Sequence, residues 1–154
     1  MGPVRALGIV QFGMWEKAKE LGFIPYVGDG TAIANQLHVL VVSPFVLRLL
    51  DLALQPSAPQ GTQYERTFAI GGTEIPWKDV SAVFAKTLHA KGIIDSPKPR
   101  SVSLEEAGEG EMPMLMSHDM RFIGPRAERL GYKYDQPTFL EYVQNGGDVI
   151  PIQA

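Results

Sequence analysis

The sequence predicts an α+β domain in which mostly helices pack on a small sheet. Three observations predict it: apolar residues recur every three or four positions in several stretches, short aromatic and β-branched runs lie between them, and glycines and prolines punctuate the boundaries. The 154 residues are 45% hydrophobic and 20% charged, enough for one modest core. One domain over residues 1–146 and a tail over 147–154 accommodate the elements.

Leu7, Val10, Met14, Ala18 and Leu21 share one helical face, Glu16, Lys17, Lys19 and Glu20 fill much of the other, and Gly22 supplies the stop. Phe23 to Val27 follows as a short strand, closed by the turn residues Gly28, Asp29 and Gly30. Ser43 and Pro44 form a helix-start pair, serine as cap and proline in the first turn, so the apolar run to Leu54 reads as a largely buried helix. A loop over 55–61 separates it from a strand at Tyr64 to Ile70, which ends before Gly71 and Gly72.

Pro76 to Lys91 places Trp77, Val80, Phe84 and Leu88 on one face and ends at Gly92, an amphipathic helix with a clear stop. Ser96 to Met116 combines acidic residues (Glu105, Glu106, Glu109, Glu111) with a methionine cluster (Met112, Met114, Met116), and is expected to be irregular or mobile, with at most a short helix near Leu104. Further helices are expected from Ser117 to Leu130, interrupted at Gly124 and Pro125, and from Pro137 to Gln144.

Composition excludes several function classes. Fourteen Lys and Arg against seventeen Asp and Glu leave a formal net charge of -3, so the chain has no broad positive field for nucleic acid or anionic lipid. Cysteine is absent, which removes disulfides, thiolate ligands and a thiol nucleophile and fits a reducing, cytoplasmic setting. The most apolar stretch, Leu37 to Leu54, is interrupted by His38, Ser43, Pro44, Arg48 and Asp51, so it reads as a helix of the fold and not as a membrane span, and no secretory leader is visible. His38, His89 and His118 are far apart and lack metal-ligand spacing, and neither a G-x-S-x-G elbow nor a P-loop occurs.

Several segments resemble one known family. Gly22 to Leu54, with Tyr26-Val27-Gly28-Asp29-Gly30, Asn35 and His38, and a long apolar helix, resembles the extended short-chain dehydrogenase/reductase pattern. Trp77-Lys78-Asp79-Val80, the run Lys86 to Pro97, and Arg126 to Tyr132 resemble a fungal branch of NAD-dependent epimerase/dehydratase-like proteins, from about Gly2 to about Tyr142. The resemblance implies the carboxy-terminal, substrate-binding half of that architecture. The family's cofactor half carries a Gly-rich turn under the pyrophosphate and a Tyr-x-x-x-Lys proton-transfer pair. No such glycine turn occurs here and none of the five tyrosines has a lysine four residues later, so no nicotinamide cofactor is expected. Where the resemblance implies an acidic pair facing the Rossmann half, this chain has Leu40 and Val41, which implies an apolar surface covered anew, by the chain itself, by a second copy or by a partner.

The candidate catalytic residues are His38, Glu65 and His118. An imidazole at His38, between the glycine turn and the apolar helix, can serve as acid or base near neutral pH, against the commoner role of a hydrogen-bonded structural histidine. Asp29 can orient it or hold its own turn. On the expected strand, Tyr64 and Arg66 share one face and Glu65 the other, where it is either a proton carrier or a solvated charge. His118, Asp119 and Arg121 are placed at a pocket mouth beside the methionines. Phe12, Trp15, Tyr26, Met114 and Met116, with Asp29, Tyr64 and Arg121, complete the candidate substrate-binding set, since aromatics supply area and methionine adapts to irregular ligands.

Two functions follow as expectations. One is a cofactor-independent isomerase or cyclase acting on a hydrophobic natural-product intermediate, with secondary metabolism implied by the resemblance. The other is a non-catalytic subunit that forms a homodimer or pairs with a separate Rossmann-type protein.

Overall fold

A computed structural model describes residues 9–56 and 61–147, and within them the chain is α+β. In order, the described elements are α1 (Ile9–Leu21), β1 (Pro25–Val27), β2 (Ile33–Gln36), α2 (Val39–Ala53), β3 (Thr73–Pro76), α3 (Trp77–Ala90), β4 (Arg100–Val102), α4 (Glu111–Ser117), α5 (Pro125–Arg129) and α6 (Phe139–Gln144). β1 pairs parallel with β4, and β2 pairs with β3. The expected tail lies almost entirely outside the described residues.

The chain groups into two units. The first holds the described residues up to Ala34, Ile75–Met120 and those from Leu140 onward, and the second holds Asn35–Glu74 and Arg121–Phe139.

In the first unit, the apolar face expected for residues 76–91 becomes α3, which buries Trp77, Val80, Phe84, Ala85 and Leu88. Its first turn is capped by backbone, because Trp77 N–H donates to Ala32 O at 2.9 Å and Lys78 N–H to Gly30 O at 3.0 Å. Its end is a Schellman motif: Gly92, at φ 69°, donates to His89 O, and Ile93 donates to Leu88 O. Met14 and Ala18 of α1 are buried as their spacing predicts. Gly13 lets α4 approach α1, since a Cβ there would lie 2.0 Å from Met112 Cγ. The β1–β4 register sets Pro25 against Arg100 and Val27 against Val102, and the buried Ser81 hydroxyl donates to Pro25 O at 2.8 Å.

In the second unit, Phe45 of α2 meets Phe68 and Tyr132 edge to face, at centroid distances of 6.1 and 5.2 Å. Tyr132 follows α5, which ends in the same motif as α3, with Gly131 donating to Glu128 O and Tyr132 to Ala127 O.

Five expectations change. α2 begins at Val39, one turn before Ser43 and Pro44, because His38 caps it first: His38 Nδ1 accepts the Leu40 N–H at 3.2 Å. Pro44 therefore sits inside the helix, where it removes one helical donor. Nor is α2 largely buried, since only Val41 and Phe45 are. The strand expected at Tyr64–Ile70 is a turn followed by irregular backbone, because the Glu65 carboxylate takes the Thr62 N–H at 2.6 Å and Arg66 N–H closes on Thr62 O at 3.2 Å. The methionine segment is not irregular but forms α4, preceded by β4. Residues 118–124 are non-helical, because Asp119 accepts the Ile33 N–H at 2.8 Å and Met120 donates to Ile33 O at 2.8 Å. These long-range bonds hold the segment extended.

Candidate functional site

The second unit contains a recess of about 250 Å³, lined by Ala69, Gly71, Gly72, Phe122, Gly124, Glu128, Tyr132, Lys133 and Tyr134. Its shape follows from close backbone contact: a Cβ at Gly72 would lie 1.8 Å from Gln36 O and one at Gly124 would lie 2.2 Å from Ala69 O. Tyr132 donates its hydroxyl to Gly71 O at 2.5 Å, and burial, with Tyr134 adding, pushes its pKa up, so the phenol stays protonated. The space falls below the roughly 300–1,000 Å³ typical of small-molecule sites. None of the candidate catalytic or substrate-binding residues lines it.

The three acid/base candidates divide between the units: His38 and Glu65 belong to the second and His118 to the first. Each makes local bonds. His38 is half-buried as the α2 cap. Glu65 is exposed in its turn, and the Thr62 N–H, then the Thr62 hydroxyl, hold its carboxyl below the usual glutamate range. His118 is exposed at the end of α4, with Nδ1 2.8 Å from both Ser117 Oγ and Met114 O.

The substrate-binding candidates divide between the units as well, with Tyr64 and Arg121 in the second and the others in the first. Asp29 accepts the Thr31 N–H at 3.0 Å and the Thr31 hydroxyl at 2.7 Å, an Asx turn whose bonds, the backbone one foremost, hold its pKa down. Tyr26 packs against Gly30, where a Cβ would lie 2.6 Å from its ring. Phe12, Tyr64 and Met114 are more than half exposed, whereas Met116 is fully buried in the core of the first unit. Trp15 lies under the Lys19 ammonium, 5.8 Å from its ring centroid. Arg121 pairs with Glu74 at 2.9 Å on the surface of the second unit. Among the described residues no group of three or more histidine, aspartate or glutamate side chains is placed to hold a metal ion.

A different surface stands out. On α2 and its cap, Val39, Leu40, Val46, Leu47, Leu50 and Leu54 are each 52–75% exposed, while Val41 and Phe45 on the other side are buried. Of the two positions that the resemblance marks as altered, Val41 therefore serves the core and Leu40 the surface. The sequence reading, which expected a largely buried helix and placed only Leu40 and Val41 on an apolar surface, missed the rest of the exposed set. Its signal was present in the recurrence of Leu40, Leu47 and Leu54 every seven residues with Leu50 between them.

Among the described residues no helix is long and apolar enough to cross a membrane, so this apolar face belongs to a helix too short to span one. No protein-family model, curated protein or solved structure matches the chain in comparisons with known proteins.

Proposed function

We propose that this chain acts as a non-catalytic association subunit that docks through the outward face of α2. The carrying observation is the set of six large apolar side chains, each more than half exposed, on a single helix. The largest contiguous apolar patch on a soluble monomer is typically about 300–600 Å² and is often the functional one. The isomerase or cyclase reading draws less support. It needs proton-transfer groups converging on an enclosed pocket, whereas none of His38, Glu65 and His118 lines the recess of the second unit.

The double substitution Leu47→Glu/Leu50→Glu tests the reading. Exposed positions tolerate charge within about 0.5 kcal/mol, so the variant should keep its circular dichroism and melting temperature while losing most of its binding of a hydrophobic dye. A variant that unfolds, or melts more than about 10 °C lower, would show that these leucines pack within the fold, and the docking reading would fall.

A further inference from the structure

From the pattern on that face we infer that the occupant of the α2 surface is a second copy of this chain, so that α2 packs against its own counterpart about a two-fold axis. The inference rests on the docking reading above. Leu40, Ser43, Leu47, Leu50 and Leu54 alternate in steps of three and four, which is the seam by which one helix packs along another. Val41 and Phe45 point the other way, into the second unit, so the seam is the free side of a helix anchored by its opposite side. The fifteen residues of α2 span about 22 Å, room for two such repeats.

The seam selects its partner by what it lacks. It carries no charge, and its single polar side chain, Ser43, returns its hydroxyl to Val39 O at 3.3 Å. A surface that discriminates an unlike partner uses keyed charges or polar groups. A leucine seam without them is complementary to another uncharged leucine seam, and a two-fold axis presents one automatically. Arg48 does not oppose this, because its guanidinium lies beside Gly131 of its own unit, 3.6 Å from the ideal Cβ position there. Asp51, exposed at the border of the seam, stays in water at the rim.

The area sets the strength. Side chains half to three-quarters exposed offer roughly 400 Å² per copy, given about 100 Å² for a fully buried leucine. Two copies then bury about 800 Å², below the roughly 1,200 Å² of small stable interfaces. The dimer is therefore weak and reversible.

Sedimentation equilibrium of the full chain from about 1 to 300 μM tests this directly, with mass expected to rise from the 16.9 kDa monomer towards twice that value. Leu47→Glu/Leu50→Glu should remain monomeric throughout. Because the chain has no cysteine, Leu47→Cys is a clean reporter, and it should form a disulfide-linked dimer under mild oxidation at least ten-fold faster than Leu104→Cys, an exposed leucine of the first unit. A wild type that stays monomeric to 300 μM, or a dimer that survives the double substitution, overturns self-pairing. If the folded, dye-silent double variant accompanies a monomeric wild type, the docking face stands with an unlike partner, whereas an unfolded double variant removes both readings.

Discussion

The two units solve the same stability problem with different means. In the first, Met14, Ile24, Trp77, Phe84, Leu88 and Met116 are each at most 1% exposed, a layered core of large side chains. In the second, the buried hydrophobic residues among those described are Val41, Phe45 and Ala127, and order comes from edge-to-face rings and glycine-permitted backbone contact. The difference teaches where function can reside. Large-residue burial consumes the apolar faces of α1, α3 and α4, while the thin core of the second unit leaves the outer face of α2 uncovered.

The largest effect that separates the units should come from truncating their central rings. Phe84→Ala should cost about 3–5 kcal/mol, a large share of a typical 5–15 kcal/mol total, and abolish the cooperative melt near room temperature. Phe45→Ala should cost about 3 kcal/mol, the low end for a buried phenylalanine, and act locally. Hydrogen exchange should then accelerate through 39–54 and 125–132 while the amides of 77–90 keep their protection. Equal acceleration in α3 would mean that the units open as one.

Gly72→Ala tests the glycine device with a smaller expected loss, about 1–3 kcal/mol from forced backbone displacement against Gln36 O. A melting temperature that is unchanged would show that the contact yields freely.

His38→Ala should lower stability by about 1 kcal/mol through loss of the α2 cap, and His38→Asn should restore most of it. Failure of asparagine to rescue would point to a role for the imidazole other than capping.

The smallest effect concerns acid. Glu65 has a folded pKa held below its ordinary value, so its contribution is fully present above the ordinary range and is lost as pH falls through the depressed folded value. Glu65→Gln should therefore flatten the acid limb of the stability profile by slightly lowering the neutral plateau, with variant and wild type converging at low pH. A steeper acid limb in the variant would reverse the assignment.

Much of the fold was legible in the sequence where one helix carries both its face and its stops. α3 needed only the spacing of Trp77, Val80, Phe84 and Leu88 and the glycine at 92, all local signals. β2, β3 and β4 were not legible, because strands of three or four residues are too short to show alternation and are fixed by partners far along the chain, Arg100 by Pro25 for example. Asp119 likewise overrode a helical expectation through a bond to a residue 86 positions away. For the candidate site, the sequence offered His38, Glu65 and Asp29 as reactive groups, yet each also carries a local turn or cap signature, the Asx turn at Asp29 foremost. The α2 seam was legible by its seven-residue spacing, but apolar content alone suggested burial, and only the positions of Val41 and Phe45 decide which side faces inward.

The parallel pairing of β1 with β4 has a consequence for how the chain is made. Pro25 must wait for Arg100, so a ribosome working at about 5–20 residues per second leaves β1 without its neighbour for roughly 4–15 s. Meanwhile α2 has already emerged with its leucines bare. The nascent chain therefore passes through a window in which an exposed apolar helix precedes the completion of either unit, and that window lengthens as synthesis slows.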